Sequence, residues 1–243
     1  MHRNETAVHD DIPLWRAAPP GRPLTGLTVL VVEDSRFASE AMRLLCLRSG
    51  ARIRRADCLR TAARHLQIYR PAVAVVDMGL PDGNGAQLIA QLAAMSPRVP
   101  VVLGLSGDPA NEGEAMAAGA DGFLTKPIES LAQFQQAILS VLPPNVRPTG
   151  LRLVSEEMVH PDRGALRDDL AHVAEVLSSS SDTGAIDYIA RFLAGVARSA
   201  RDAPLEQAAT ALARDHSAGR ALAADLARIS GLVQDRLAAV GGA

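Results

Sequence analysis

Apolar and polar positions divide the chain into two regimes. Between residues 28 and 142, short apolar runs alternate with stretches whose apolar positions recur every three or four residues, which is the signature of strands alternating with amphipathic helices. The run TVLVV at 28–32 reads as a first strand. Ser35 is placed to cap a helix with Phe37, Ala41, Leu44 and Leu45 on its apolar face, and Gly50 to end it. Residues 51–56 form a poorer strand carrying three arginines, expected at or near a sheet edge. Leu59, Ala62, Ala63 and Leu66 mark a second helix, stopped by Pro71. The uninterrupted apolar run 72–76 has the character of a strand buried on both faces, and it ends at Asp77 and a loop rich in Gly, Pro, Asp and Asn. Beyond it the pattern predicts a helix through Leu88, Ile89 and Leu92, a strand at 99–105 and a Gly/Ala-rich helix at about 111–118. A short strand at 122–125 and a helix at 128–142, with Leu131, Phe134, Ile138 and Val141 on one face, complete the series. Strands and helices in strict alternation with short joins predict an α/β fold, a five-stranded parallel sheet covered by helices on both sides.

After residue 142 the alternation stops. Pro143, Pro144, Pro148 and Gly150 mark a linker, and only helical periodicity follows. The stripes are Leu166, Leu170, Val173 and Leu177; Ile186, Ile189, Leu193 and Val196; Leu205, Ala208, Ala209 and Leu212; and Leu222, Leu226, Ile229, Val233 and Leu237. They predict an antiparallel bundle, or a helical hairpin that dimerises. Residues 1–26 hold three acidic and three basic residues, four prolines and no periodicity, as a flexible tail would. The expected organisation is a tail at 1–26, an α/β domain at 27–142, a linker at 143–150 and an all-helical module at 151–243.

Composition narrows the class. A hydrophobic content of 48% in 243 residues suffices for real cores. The net charge of −2 offers no electrostatic reason to bind nucleic acid or an anionic membrane. From residue 151 onward, 10 arginines face 13 acidic residues with no basic recognition helix, so no nucleic acid partner is expected. That segment also lacks a nucleophile elbow, a metal-ligand cluster and a glycine-rich phosphate loop, so an enzymatic output is not expected. Cys46 and Cys58 match no metal or redox spacing and read as buried thiols of a reducing compartment. No apolar run approaches the ~20 residues of a membrane span, and a cytoplasmic protein is expected.

The chemistry gathers at the strand ends. Glu33 and Asp34 follow the first strand, Asp77 ends the third, Ser106 the fourth and Lys126 the fifth, so all project from the edge where open parallel sheets bind ligands. A carboxylate after a buried strand is commonly only a turn residue; here it has company. Three clustered carboxylates repel unless a cation neutralises them, and an all-oxygen site partly open to water suits Mg²⁺. With that charge balanced, Asp77 is a nucleophile toward a phosphoryl group, and Ser106 and Lys126 can spread the charge on its oxygens. Lys126 is the only lysine in a chain whose 25 basic residues are otherwise arginine, which sets it apart as a compact point charge where a planar fork would not serve.

These residues sit in VVED (31–34), VVDMGLPDGNG (75–85), LGLSGD (103–108) and AGADGFLTKP (118–127), and in that order and spacing residues 27–142 resemble the receiver domain of two-component response regulators. The resemblance implies a doubly wound sheet that takes a phosphoryl group onto Asp77 from a histidine kinase or a histidine phosphotransfer protein. It further implies Mg²⁺ held by Asp34, Asp77 and the backbone carbonyl of Gly79, with Glu33 acting mainly through water. Ser106 and Lys126 would contact the phosphoryl oxygens, and Ser106 and Phe123 would form the switch pair. Glu33 stands where aspartate is commoner, and Gly79 leaves no side chain beside the acceptor.

The run at 191–213 resembles, more faintly, the central helices of histidine phosphotransfer domains. Gly195 matches, but Arg191 holds the histidine position and Ala194 the lysine position, which would make the module degenerate. His172 and His216 read as partly exposed helix residues rather than phosphoacceptors. The resulting expectation is a phosphorylation-controlled regulator whose helical module contacts a downstream protein or a second copy of itself, with the signal passing through Ser106, Phe123 and the surface of 111–142. A phosphotransfer intermediate and a transcription regulator are the alternatives.

Overall fold

The computed structural model describes residues 18–144, 146–147, 153–179 and 183–241. In chain order its strands are β1 (Thr28–Val32), β2 (Arg52–Ala56), β3 (Val73–Asp77), the two-residue β4 (Gly79–Leu80) and β5 (Gly83–Asn84), β6 (Val101–Ser106) and β7 (Gly122–Thr125). The helices are α1 (Arg36–Arg48), α2 (Leu59–Ile68), α3 (Gly85–Ala94), α4 (Glu112–Ala117), α5 (Leu131–Val141), α6 (Arg163–Ser179), α7 (Thr183–Ser199), α8 (Ala203–Ser217) and α9 (Ala223–Gly241). The five long strands form one sheet in the order β2-β1-β3-β6-β7, every pair parallel. The arginine-rich β2 is an edge strand, as its composition predicts. β3 and β6 are buried at every position, because helices cover both faces. Val29, Val31, Val73 and Val75 pack with α1 and α5 on one face. Leu30, Val32, Ala74 and Val76 pack with α2, α3 and α4 on the other. The strand order reverses between β1 and β3, so the carboxyl ends of these two strands open a crevice.

The domain boundaries differ from those expected. Leu24 is wholly buried in the first core and donates its amide to Ser49 O at 2.9 Å, so packing of the α/β unit begins inside the stretch assigned to a tail. The remainder of that tail, residues 1–17, lies outside the described residues. Residues 153–162 belong with the α/β unit too. Leu131 N donates to Glu157 O at 3.0 Å, Val159 N to Glu129 O at 2.8 Å, and the buried Val159 joins the α1–α5 core. This strap has little helical periodicity and one deeply buried residue, which is why its destination was invisible in the pattern.

The helical module therefore starts at Arg163. It is a closed bundle rather than a hairpin: α6 packs on α7 and α9, and α8 on α7 and α9. Leu170, Val173, Ile189, Leu193, Leu212 and Ile229 fill its interior. Asp202 caps α8 through Leu205 N at 3.2 Å and takes Arg236 of α9 at 2.8 and 3.1 Å, locking two helices at one end. No helix among the described residues is long and apolar enough to cross a membrane.

Candidate functional site

Asp77 is the last residue of β3, opposite Leu105 of β6, and is only 6% exposed. Lys126 directly follows β7, held by its amide to Ser106 O at 2.8 Å. Its ammonium lies 2.6 Å from Glu33 Oε2 and 3.2 Å from Asp77 Oδ1. Glu33 directly follows β1, fixed by its amide to Ala56 O at 2.9 Å, and its Oε1 accepts Ser35 N at 3.1 Å. Asp34 follows, half-buried. One carboxylate oxygen from each of Glu33, Asp34 and Asp77 falls within 4.8 Å of the others.

Three acids in so small a space perturb one another. Burial, and then repulsion from Asp77 and Asp34, raises the Glu33 carboxyl well above its ordinary range against the pull of Lys126. Burial, followed by the charge of Asp77, pushes Asp34 up to about 6. Burial alone would lower the Lys126 ammonium, but Asp77, Glu33 and Asp34 outweigh it and hold it above its usual value. The group is thus a net anionic pocket that one lysine only partly offsets.

Ser106 Oγ accepts Asp108 N at 3.1 Å and Asn111 Nδ2 at 2.9 Å, which points the hydroxyl region toward the loop before α4. Phe123 of β7 lies over Gly104 of β6, where an added Cβ would come within 2.9 Å of its ring and 2.7 Å of Ala115. Gly79 in β4 borders the same cleft with nothing near its absent side chain. The β4–β5 turn is held at both ends: Asp82 accepts the Leu59 and Arg60 amides of α2 at 2.8 and 3.0 Å, and Asn84 reaches Glu114 of α4 at 2.7 Å. Of the seven residues expected at the site, Glu33, Asp34, Asp77, Gly79, Ser106 and Lys126 line one cleft at the carboxyl edge of the sheet, and Phe123 stands back from it within β7, opposite Gly104.

Sequence patterning did not foresee what covers that edge. Helices α6 and α7 pack mainly against α1, and α7 also against β4, while the 111–142 surface expected to receive the module meets it only at its rim. Asp169 of α6, 2% exposed, accepts Ser35 Oγ at 2.8 Å and the amides of Arg36 and Phe37 at 2.8 and 3.0 Å, so it caps α1 from another unit. Tyr188 of α7 donates its hydroxyl to Asp34 Oδ2 at 2.8 Å. Arg198 of α7 donates to the Gly107 carbonyl, with its Nε on Glu206 of α8 at 2.7 Å. Arg201 pairs with Glu129 at the rim. A cleft of about 380 Å³ remains, with Asp77, Ser106 and Lys126 on its α/β side and Arg191, Ala194 and Gly195 across from them. His172 is exposed and edge-on to Phe192 at 6.0 Å, and neither it nor His216 lines the cleft. Tyr188 offered one signal, being one of two tyrosines in the chain, but helical periodicity gives no sign of which unit a polar face will meet.

Comparison with known proteins bears on the first half of the chain. Residues 29–139 match the model of the response regulator receiver domain. The N-terminal unit is a receiver domain. The chain is 33% identical over 116 residues to the virulence transcriptional regulatory protein PhoP of Salmonella typhimurium, covering 46% of this chain and 52% of that protein. It is 31% identical over 99 residues to the KDP operon transcriptional regulatory protein KdpE of Escherichia coli, covering 41% and 44% respectively. It thus spans about half the length of the curated relatives it matches. The receiver domain of a sensor histidine kinase from Pseudomonas aeruginosa, solved with magnesium in its active site cleft, aligns at 21% identity and a TM-score of 0.43 over 48% of this chain and 98% of that one. Because PhoP and KdpE are named as transcriptional regulators, the expectation of no nucleic acid partner gains no support from them. The likeness to phosphotransfer helices has no counterpart among these matches.

Proposed function

We propose that this protein is a phosphorylation-controlled regulator whose receiver accepts a phosphoryl group on Asp77. The observation that carries the reading is the convergence, from the ends of separate strands, of a buried carboxylate, a lysine 3.2 Å from it, two further acids and a serine hydroxyl. The donor set fits a divalent cation. Glu33, Asp34 and Asp77 supply only hard oxygen ligands, crowded enough that burial and mutual repulsion favour a positive partner, and Gly79, whose backbone carbonyl would be a further ligand, borders the same space. Bound Mg²⁺ would supply charge neutralisation for the acceptor and the transferring phosphoryl oxygens. Asp34 and Asp77 would hold it directly, and Glu33 mainly through water.

In the transfer step an oxygen of Asp77 forms a bond to phosphorus while the phosphorus–nitrogen bond of a donor phosphohistidine breaks, its electron pair going to the imidazole. Lys126, freed from Glu33, meets the phosphoryl oxygens as a point charge, and Ser106 turns from Asn111 toward them. Movement of Ser106 leaves space beside β6 that Phe123 can enter, so the pair acts as the switch. The donor is a histidine kinase or a phosphotransfer protein. The helical module then acts by changing its contacts with the receiver, with a protein partner or with a second copy.

The test is labelling of the full chain with acetyl phosphate and Mg²⁺, read as intact mass. One phosphoryl adduct is expected, absent in Asp77→Asn and in excess chelator. Labelling that survives either change overturns the reading.

A further inference from the structure

Tyr188 and Asp34 stand 154 residues apart in the chain, on different folding units, yet share a hydrogen bond of 2.8 Å. We propose that α7 completes the cation site of the receiver, with Tyr188 as a positioning residue for Asp34, so that cation occupancy and seating of the helical module form one coupled equilibrium. The inference rests on the cation reading above and deepens it.

The tyrosine is held in place before any ligand arrives. Its ring lies 5.7 Å from that of Phe192, one helical turn along, and Phe192 is itself buried and edge-on to His172. Two further contacts, one from α6 and one from α7, seat this helix pair over the pocket independently of Tyr188. Asp169 grips the first turn of α1 through three hydrogen bonds, and Arg198 bridges the Gly107 carbonyl to Glu206. The hydroxyl therefore arrives at Asp34 as part of a rigid approach rather than as a wandering side chain.

A carboxylate offers two oxygens and about four lone pairs, and in a crowd of three acids it turns away from its neighbours. A donor fixed on Oδ2 removes that freedom and leaves Oδ1 for other partners. Groups that orient a metal-binding carboxylate from behind typically change metal affinity by about 10–100-fold. Coupling is reciprocal: whatever factor the seated module adds to cation affinity, the bound cation must add to seating.

The experiment uses the full chain and its Tyr188→Phe variant, which keeps the ring and its packing and removes only the hydroxyl. Mg²⁺ alone is titrated by calorimetry, and amide exchange of 183–199 is measured with and without Mg²⁺. Affinity about 10-fold weaker in Tyr188→Phe is expected, with Mg²⁺ slowing exchange across α7 in the parent and much less in the variant. Equal or tighter binding by the variant, or α7 exchange indifferent to Mg²⁺ in the parent, overturns the inference. Asp34→Ala separates it from its premise. If that variant loses Mg²⁺ while Tyr188→Phe binds like the parent, the inference alone fails; if the parent takes up no Mg²⁺, the cation reading fails and the inference with it.

Discussion

Lys126 and Glu33 form a buried ion pair, ammonium to Oε2 at 2.6 Å, with the two residues 8% and 3% exposed. Removing one partner of such a pair leaves the other charge stranded, a change worth about 3–5 kcal/mol. Lys126→Met is therefore expected to lower unfolding stability by about 3 kcal/mol in chelator at neutral pH. Adding Glu33→Gln should recover part of that loss, since the Glu33 charge is then gone while Asp77, 3.2 Å from the lost ammonium, keeps its own. Urea denaturation of the four proteins of this cycle measures the coupling; additive effects would show that the pair is not energetically linked.

The acid pocket sets a pH dependence of its own. Asp34 is raised to about 6 by burial and by Asp77, above an unfolded value of about 4. Over that interval the folded chain holds more protons than the unfolded one, so stability falls as pH climbs and the penalty is complete above about 6. Asp34→Asn lacks the penalty. In chelator it is expected to exceed the parent by on the order of 3 kcal/mol at neutral pH, with the gain shrinking toward zero near pH 4. Denaturation across that range checks both the sign and the window.

Asp169→Ala should uncap α1. It strips partners from the Ser35 hydroxyl and from the Arg36 and Phe37 amides at once, and a cost of about 2 kcal/mol is expected. Amide exchange at Arg36 and Phe37 should quicken and α7 should lose protection, while the receiver core stays protected. Unchanged exchange at all these positions would mean that the docked face is held by other contacts.

Gly85 and Gly79 make a contrasting pair on the two sides of the acceptor loop. A Cβ on Gly85 would fall 2.0 Å from the Asp77 carbonyl oxygen, whereas one on Gly79 meets nothing within 4 Å. Gly85→Ala must push α3 off the end of β3, for an expected loss of about 2 kcal/mol or more and slower labelling of Asp77. Gly79→Ala should stay within about 0.5 kcal/mol of the parent. Thermal melts and acetyl phosphate labelling compare the two.

The receiver half was legible because its rules are local. The strands β1, β3 and β6 announced themselves by apolar runs, and the position of Asp77 or Ser106 at the end of its own run, or of Lys126 after the short β7, placed it at the edge. The two-residue β4 and β5 escaped because they lie within a loop signalled only by Gly, Pro and Asn. The bundle's helices were also legible, since Leu170, Val173, Ile189 and Leu193 keep helical spacing. Its docking was not. Asp169 sits among polar residues of α6 with nothing to mark it as a cap for α1, and Val159 carries the strap into the core as a lone apolar residue. Contacts between units rest on a handful of polar groups whose partners are 72 to 154 residues away, and periodicity has no memory at that distance.

If Asp77 accepts phosphoryl groups as proposed, the placement of α7 across the cleft would sort their donors by size. An acyl phosphate of a few heavy atoms fits within about 380 Å³, but a donor histidine comes attached to a helix or domain, and a helix with its side chains is ~10 Å across. Ala194 and Gly195 of α7 line the far side of that cleft. Small donors should then label Asp77 at a rate that rises with their concentration, whereas transfer from a protein donor should level off at the rate with which α7 lifts. The resting chain would behave as a slow gate in any relay, its delay written in the strength of the contacts made by Asp169, Tyr188 and Arg198.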